Sequence, residues 1–457
     1  MPSLFAPSAL LPTGWARDVR IDITEAGVIS AVRPNAPAGG DRVERLAGPV
    51  LPGLGNVHSH AFQRAMAGLA EKRRDPADSF WTWRETMYRV AQALGPDELS
   101  AIATYLFIEN LKAGYTSIGE FHYLHNDRNG VSYADPAEMS VRLVHAAAET
   151  GIALTVLPVL YMRAGFDDAP LEPAQQRFAA DEERLIQILE SLRAHGRDST
   201  SLRVGIAPHS LRAVSVDIVR QIAAALPEET TIHIHVAEQE REVEDCLAAT
   251  GGRPVEVLMA EAPVGPSWCL IHATHVLPDE IADIAASGAV AGLCPITEAN
   301  LGDGIFPLPD FMTTGGRFGI GSDSNVTLNP WEELRLLEYG QRLTHGRRCL
   351  SLPEDGVGSV GGNLFRAAVA GGAAALGQPV GAIAEGFRAD LVVLDPRRLA
   401  QPEAEDDDIL DTAIFTGAGL PVRDVMVSGI WRVRQGHHAL EEAAYRRFTE
   451  ALRRLVL

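Results

Sequence analysis

The sequence predicts an α/β protein, a (β/α)8 TIM-like barrel with a small β-sandwich domain built from both termini. Three observations predict it. From about residue 52 to 330, short β-branched apolar runs alternate with longer stretches of helical spacing. Eight such runs occur, more than an open doubly wound sheet needs. Chemistry-prone residues fall at the C-terminal ends of those runs, the end where such a barrel builds its site.

Taken in order, the strand-like runs are "GPVLPGLGNVH", "YTSIGEF", "ALTVLPVLY", "LRVGIAPHS", "TTIHIHVAE", "CLIHATHV", "AVAGLCPI" and "RFGIGSDSN". Between them lie helical patterns such as "LSAIATYLFIENLKAG", "AEMSVRLVHAAAETG", "AADEERLIQILESLRAHG" and "VDIVRQIAAAL". Several end in Gly, as a left-handed C-terminal cap requires. Residues 14 to 50 and about 380 to 434 read differently, as short alternating runs such as "RVERLAG", "DLVVLD" and "VRDVMVSGIWRV". They suggest a sandwich assembled from both ends. The expected organisation is therefore residues 1–50 for the first part of the sandwich, 51–375 for the barrel, and 376–457 for the rest of the sandwich with a terminal helix. The acidic "EAEDDDILD" reads as a solvated loop.

Bulk properties narrow the function. The chain has 457 residues, 46% of them hydrophobic and 22% charged, which fits a globular protein larger than one ordinary domain. A formal net charge of -20 and the lack of a basic run argue against nucleic acid as a partner. No stretch supplies the roughly 18 uninterrupted apolar residues of a membrane span, and the first residues do not read as a secretion signal. A cytoplasmic enzyme is expected. Cys246, Cys269, Cys294 and Cys349 are far apart, with no CxxC pair, and read as buried reduced thiols.

The segment "PGLGNVHSHAFQR" places His58 and His60 two residues apart at a strand end. In a strand such residues share a face, with Val57 and Ser59 turned away, so two imidazoles can meet one point. An HxH alone is weak evidence. His235 at the end of "TTIHIHV", His272 at the end of "CLIHA" and Asp323 in "GIGSDSN" strengthen it, because a closed barrel brings separate strand ends to one rim. Three imidazoles and a carboxylate suit Zn²⁺ or Fe²⁺ with a position left for water, which assigns His58, His60, His235 and Asp323 as ligands. A second metal would need a bridging ligand. Lys72 and Lys112 are the only lysines, one in a loop and one in a helical segment, and Glu120 reads as a partner behind the ligands. One metal per chain is expected, zinc first and ferrous iron second.

With those residues in place the chain resembles the amidohydrolase superfamily over nearly its full length, "GFRADLVVLD" matching that family's C-terminal strand. The stretches "HSHAFQRAMAGLAE", "SFWTWRETMY", "GEFHYLHN", "APHSLRAV" and "HIHVAEQ" resemble its formimidoylglutamate deiminase branch. The resemblance implies hydrolysis of N-formimino-L-glutamate to N-formyl-L-glutamate and ammonia in histidine breakdown. It also implies a homodimer, places Gln63 in the pocket, and has His272 hydrogen-bond the attacking water. As a strand-end imidazole His272 could instead be a fourth nitrogen ligand, the lesser of the two readings.

The substrate residues can also be weighed chemically. Arg84, in the helix-like "WTWRETM", would ordinarily be a surface charge but could reach across the barrel mouth. Arg212 follows His209 by three residues in the loop leaving "LRVGIAP". Two guanidiniums at one rim would hold a small dicarboxylate by forked hydrogen bonds, and a neutral purine offers them nothing. Tyr123 can donate to a carboxylate or simply be a rim aromatic. His209, at a strand end, can donate to a substrate carboxylate. His122, His125, His233 and His275 read as supporting or core residues, and His437 and His438 as solvent facing. Asp323 would take the water's proton and pass it to the leaving nitrogen, while Glu238, three residues past His235, would protonate or orient the imino nitrogen. The rival expectations are a deaminase of a nucleobase or similar ring, and an inactive metal-binding scaffold.

Overall fold

The computed structural model describes residues 3–39, 43–71, 80–196, 199–353, 356–417 and 419–455. Lys72 lies outside the described residues. Eight parallel strands form the barrel: β1 (Leu54–Ser59), β2 (Tyr115–His122), β3 (Ala153–Leu160), β4 (Leu202–Val204, continued by Ala207–Pro208), β5 (Ile232–Val236), β6 (Trp268–His272), β7 (Val290–Leu293) and β8 (Arg317–Ile320). The pairing runs β4-β3-β2-β1-β8-β7-β6-β5. A parallel bridge between Ile206 and Ile232 closes the ring, and His235 N donates to His209 O at 3.1 Å beside it. Every residue of β1, β2 and β3 is buried, as strands covered on both faces must be. Gly114 and Gly151 end the helices Pro96–Ala113 and Glu138–Thr150 in the left-handed region, as the terminal glycines predict.

The helix Val360–Leu376 plugs the end of the barrel opposite the histidines. Thr155 Oγ1 donates to Leu376 O at 2.7 Å, and His233 Nε2 donates to Ala375 O at 2.8 Å. Ala375 then packs with Val57, Cys269, Ile271 and Val290 in a small separate core. Approach is close enough that a Cβ on Gly371 would stand 1.8 Å from Phe318 O, so only glycine fits there.

The termini build one nine-stranded sheet with its own apolar core, including Leu4, Val19, Ile21, Val50, Leu391, Val393 and Met426. Val50–Pro52 belongs to this sheet, pairing with Leu391–Leu394, so the run "GPVLPGLGNVH" is two strands and the change of sheet falls at Gly53. The close approach explains the break, since a Cβ at Gly53 would meet the Thr116 side chain at 2.2 Å. Three smaller expectations fail. The acidic segment 403–411 is not a solvated loop throughout, because the helix Asp407–Phe415 begins inside it and buries Ile409 and Leu410. His438 is buried and donates to Thr150 O at 3.0 Å, because successive strand residues face opposite sides and only His437 points outward. Cys349 is exposed, unlike the other three cysteines, because it lies in the turn after the helix Pro330–His345. Among the described residues no helix is long and apolar enough to cross a membrane.

Candidate active site

The C-terminal rim of the barrel gathers the predicted ligands. His58 Nε2 stands 3.1 Å from both His60 Nε2 and His235 Nε2. Asp323 Oδ1 lies 3.4 Å from His58 Nε2 and 3.2 Å from His60 Nε2. The supporting hydrogen bonds fix the tautomers. His60 Nδ1 donates to Phe121 O at 2.8 Å and His235 Nδ1 to His209 O at 2.9 Å, and a carbonyl can only accept. Both Nε2 atoms therefore turn bare lone pairs inward. His58 can bring at most one hydrogen to three facing acceptors, so lone pairs remain that no protein donor satisfies. Such a donor set fits a cation of the zinc type, and backbone carbonyls orient two of the imidazoles as expected around a metal. Burial disfavours charge on two of the rings, as ligation requires: with His60 nearby it pushes the His58 pKa down to about 3, and with His58 and His209 nearby it pushes His235 well below the usual range.

The strand ends that carry these groups are strained. Ala237, His272, Ala273 and Asp323 all have left-handed φ values, 51°, 69°, 47° and 44°. Such conformations cost about 1–3 kcal/mol each and cluster where surrounding bonds impose them. Here Asp323 N donates to His58 O at 2.9 Å, and Glu242 accepts from Glu238 N at 3.0 Å and from Ala237 N at 3.3 Å.

His272 stands beside Asp323, with a ring nitrogen within 4.8 Å of ligand atoms of His58 and Asp323. Its Nε2 is 3.7 Å from Asp323 Oδ2 and 3.7 Å from Glu238 Oε1, while Nδ1 is 3.2 Å from Glu298 Oε1. Burial opposes charge on this ring, yet Glu238, Glu298 and Asp323 together raise its pKa to about 10. Glu238 moves the other way from an ordinary carboxylate: burial pushes its pKa up, and His272 offsets only part of the rise. A carboxyl pushed toward its protonated form and a cationic imidazole thus face the same space. Burial pushes Asp323 up, but the His58 and His60 rings that face it outweigh burial and hold the carboxyl well below its usual value.

Gln63, Arg84, Tyr123, His209 and Arg212 line the same cleft as His60, His235, Glu238, His272 and Asp323. Arg84 sits on the helix Phe80–Ala93, which follows β1, and Arg212 sits on the loop after β4. Gln63 Nε2 donates to Tyr123 Oη at 2.7 Å, leaving Gln63 Oε1 buried without a protein partner and aimed at no other donor. Six residues that the sequence did not single out join the lining: Trp83, Met87, Tyr88, Tyr161, Phe178 and Leu301. Tyr88 was findable, four residues after Arg84 on one helical face. Glu298 was also missed; it caps the turn after β7, accepting from Cys294 N at 2.8 Å, and so reaches back to His272. Glu120 stays behind the ligands, accepting from Ala61 N at 2.5 Å, and burial raises its pKa to about 8. Lys112 pairs with Glu441 of the terminal helix and takes no part in the rim. His122, His125, His233 and His275 each bond a backbone carbonyl.

The Amidohydrolase family model matches residues 50–432, and the model described as Formimidoylglutamate deiminase HutF, N-terminal domain, matches residues 1–45. A formimidoylglutamate deiminase of Pseudomonas aeruginosa is 52% identical over 456 residues, covering 100% of both chains. An 8-oxoguanine deaminase of the same organism is 31% identical over 85% of this chain and 82% of its own. The crystal structure of an amidohydrolase from Brucella melitensis superposes with a TM-score of 0.95 at 46% identity, covering 100% of both chains. An adenosine deaminase from Xanthomonas campestris, solved with bound zinc, has a TM-score of 0.81 at 22% identity over 99% of this chain and 98% of its own, which speaks to the fold alone.

Proposed function

The chain belongs to the amidohydrolase family, and from that premise we propose that it hydrolyses N-formimino-L-glutamate to N-formyl-L-glutamate and ammonia in the breakdown of histidine. One observation carries this reading: two arginines, Arg84 and Arg212, share a single cleft with the ligand cluster. A substrate with two carboxylates and an amidine-like carbon satisfies both halves of that cleft. A neutral ring satisfies only the metal half, and a scaffold would not need the strained strand ends or the Glu238–His272 pair. The 52% identity to a formimidoylglutamate deiminase supports the same choice.

In this proposal His58, His60, His235 and Asp323 hold one metal ion per chain, zinc in preference to ferrous iron. When bound, the metal supplies the Lewis acidity that lowers the pKa of an attacking water toward neutral. Asp323 takes the proton from that water and returns one to the departing nitrogen. Glu238 carries a proton to the imino nitrogen and recovers one from the adduct's hydroxyl as ammonia leaves, and His272, held by Glu298, donates to the oxygen as it attacks. The charge of Arg212 reaches Glu238 and Glu242 as well as Tyr88, whereas Arg84 donates to Tyr161 and stacks on Tyr88. That difference supports Arg212, with His209, on the carboxylate nearer the reacting carbon and Arg84 on the outer one. Tyr123 and Gln63 orient the amidine end. The small-molecule substrate, the cytoplasmic setting and a homodimer belong to the same proposal.

Nuclear magnetic resonance of the reaction mixture tests it: formylglutamate and ammonium should appear together, and formamide with free glutamate would mean that the other C–N bond breaks. Arg212→Met should raise KM for the dicarboxylate by about 10–100-fold, the worth of one charged hydrogen-bonded contact. An unchanged KM would remove Arg212 from the clasp.

A further inference from the structure

Behind Arg84 lies a buried amide whose orientation is fixed. Gln175, on the short turn Pro173–Phe178, is 1% exposed. Its Oε1 accepts from the backbone N–H of Glu172 at 2.8 Å. A backbone N–H can only donate, so the amide cannot be reversed, and its NH₂ must face the other way. There it donates one hydrogen to Tyr88 Oη at 3.3 Å and the other to Tyr161 Oη at 3.2 Å. Arg84 Nη2 also donates to Tyr161 Oη, at 3.3 Å, and its guanidinium stacks 5.1 Å from the centre of the Tyr88 ring.

Amides and guanidiniums offer only hydrogens at these atoms, so each phenol oxygen is an acceptor on this side. Each phenol's own hydrogen must then be spent elsewhere, and both phenols line the cleft. The two chain segments are tied together independently, by Gln92 Nε2 donating to Ala174 O at 3.0 Å and Arg177 Nη1 to Leu94 O at 2.9 Å. The turn that carries Gln175 thus docks against the helix that carries Arg84 and Tyr88.

We propose that Gln175 is a positioning residue: by donating to Tyr88 and Tyr161 it turns both phenolic hydrogens into the cleft, where with Arg84 they form a clasp for the substrate's outer carboxylate. This rests on the dicarboxylate reading above and adds to it the residues that select the outer group. Burial raises the Tyr88 pKa to about 12, which keeps that phenol protonated and able to donate.

Gln175→Glu tests the direction of these bonds with almost no change of shape, since a carboxylate there would draw the phenolic hydrogens toward itself. KM for N-formimino-L-glutamate should rise at least about tenfold. For N-formimino-2-aminobutyrate, which keeps the inner carboxylate and lacks the outer one, KM should change less than about twofold. The double variant Tyr88→Phe with Tyr161→Phe should show the same split between substrates, and it decides the matter if the Gln175 variant does not fold. A KM rise equal for both substrates, or none, would overturn the assignment. Absence of turnover of formiminoglutamate by the unaltered enzyme would instead overturn the functional reading beneath it.

Discussion

Asp323→Asn should lower kcat for formiminoglutamate by about 10²–10⁴-fold, the usual worth of a positioned proton-transfer group. Asparagine is suited to this test because residue 323 has a φ of 44°, a left-handed value that Asn adopts more readily than most side chains. The backbone bonds from Ser322 N and Asp323 N to His58 O, at 3.0 and 2.9 Å, should therefore persist. What disappears is the carboxylate charge that faces His58 and His60 and, in the proposed reaction, the site for the water's proton. Metal content, measured separately, distinguishes the two duties: three imidazoles remain as ligands, so turnover should fall further than metal occupancy. A variant that keeps kcat within about tenfold would remove Asp323 from proton transfer.

Glu238→Gln should be nearly as damaging, with kcat falling about 10²–10⁴-fold while metal content stays at the unaltered level. The side chain touches His272 at 3.7 Å and lies outside the converging nitrogen atoms, so its amide should leave the ligand cluster intact. Gln can still accept and donate hydrogen bonds, and KM should move much less than kcat. Equal losses in kcat and metal content would mean that Glu238 supports the metal rather than the imino nitrogen.

Much of this molecule was legible in its sequence because the barrel writes its chemistry at strand ends. The period of the apolar runs located β1, β5, β6 and β8, and His58, His235, His272 and Asp323 follow from their position on them. Arg84 and Arg212 were readable as charges that a rim could use. The residues missed depend on how loops dock, which no period encodes. Tyr161 ends the run "ALTVLPVLY", whose period marks a strand but not which groups its last phenol will meet. Gln175 has no local signal at all, since its meaning comes from Glu172 N on one side and two phenols from other segments on the other. Glu298 reads as a helix-start acid until the turn after β7 is seen to face His272. His438 failed for a related reason: a terminal tail reads as solvated unless the edge strand it completes is known.

The central claim is that one cleft joins a metal cluster to a clasp for two carboxylates. Ammonia release measured side by side on formiminoglutamate and 8-oxoguanine, with the same metal-replete preparation, tests it most directly. Two charged contacts absent from the ring predict a kcat/KM at least about 10²–10⁴-fold higher for formiminoglutamate. A ratio near one, or a preference for the ring, would contradict the account.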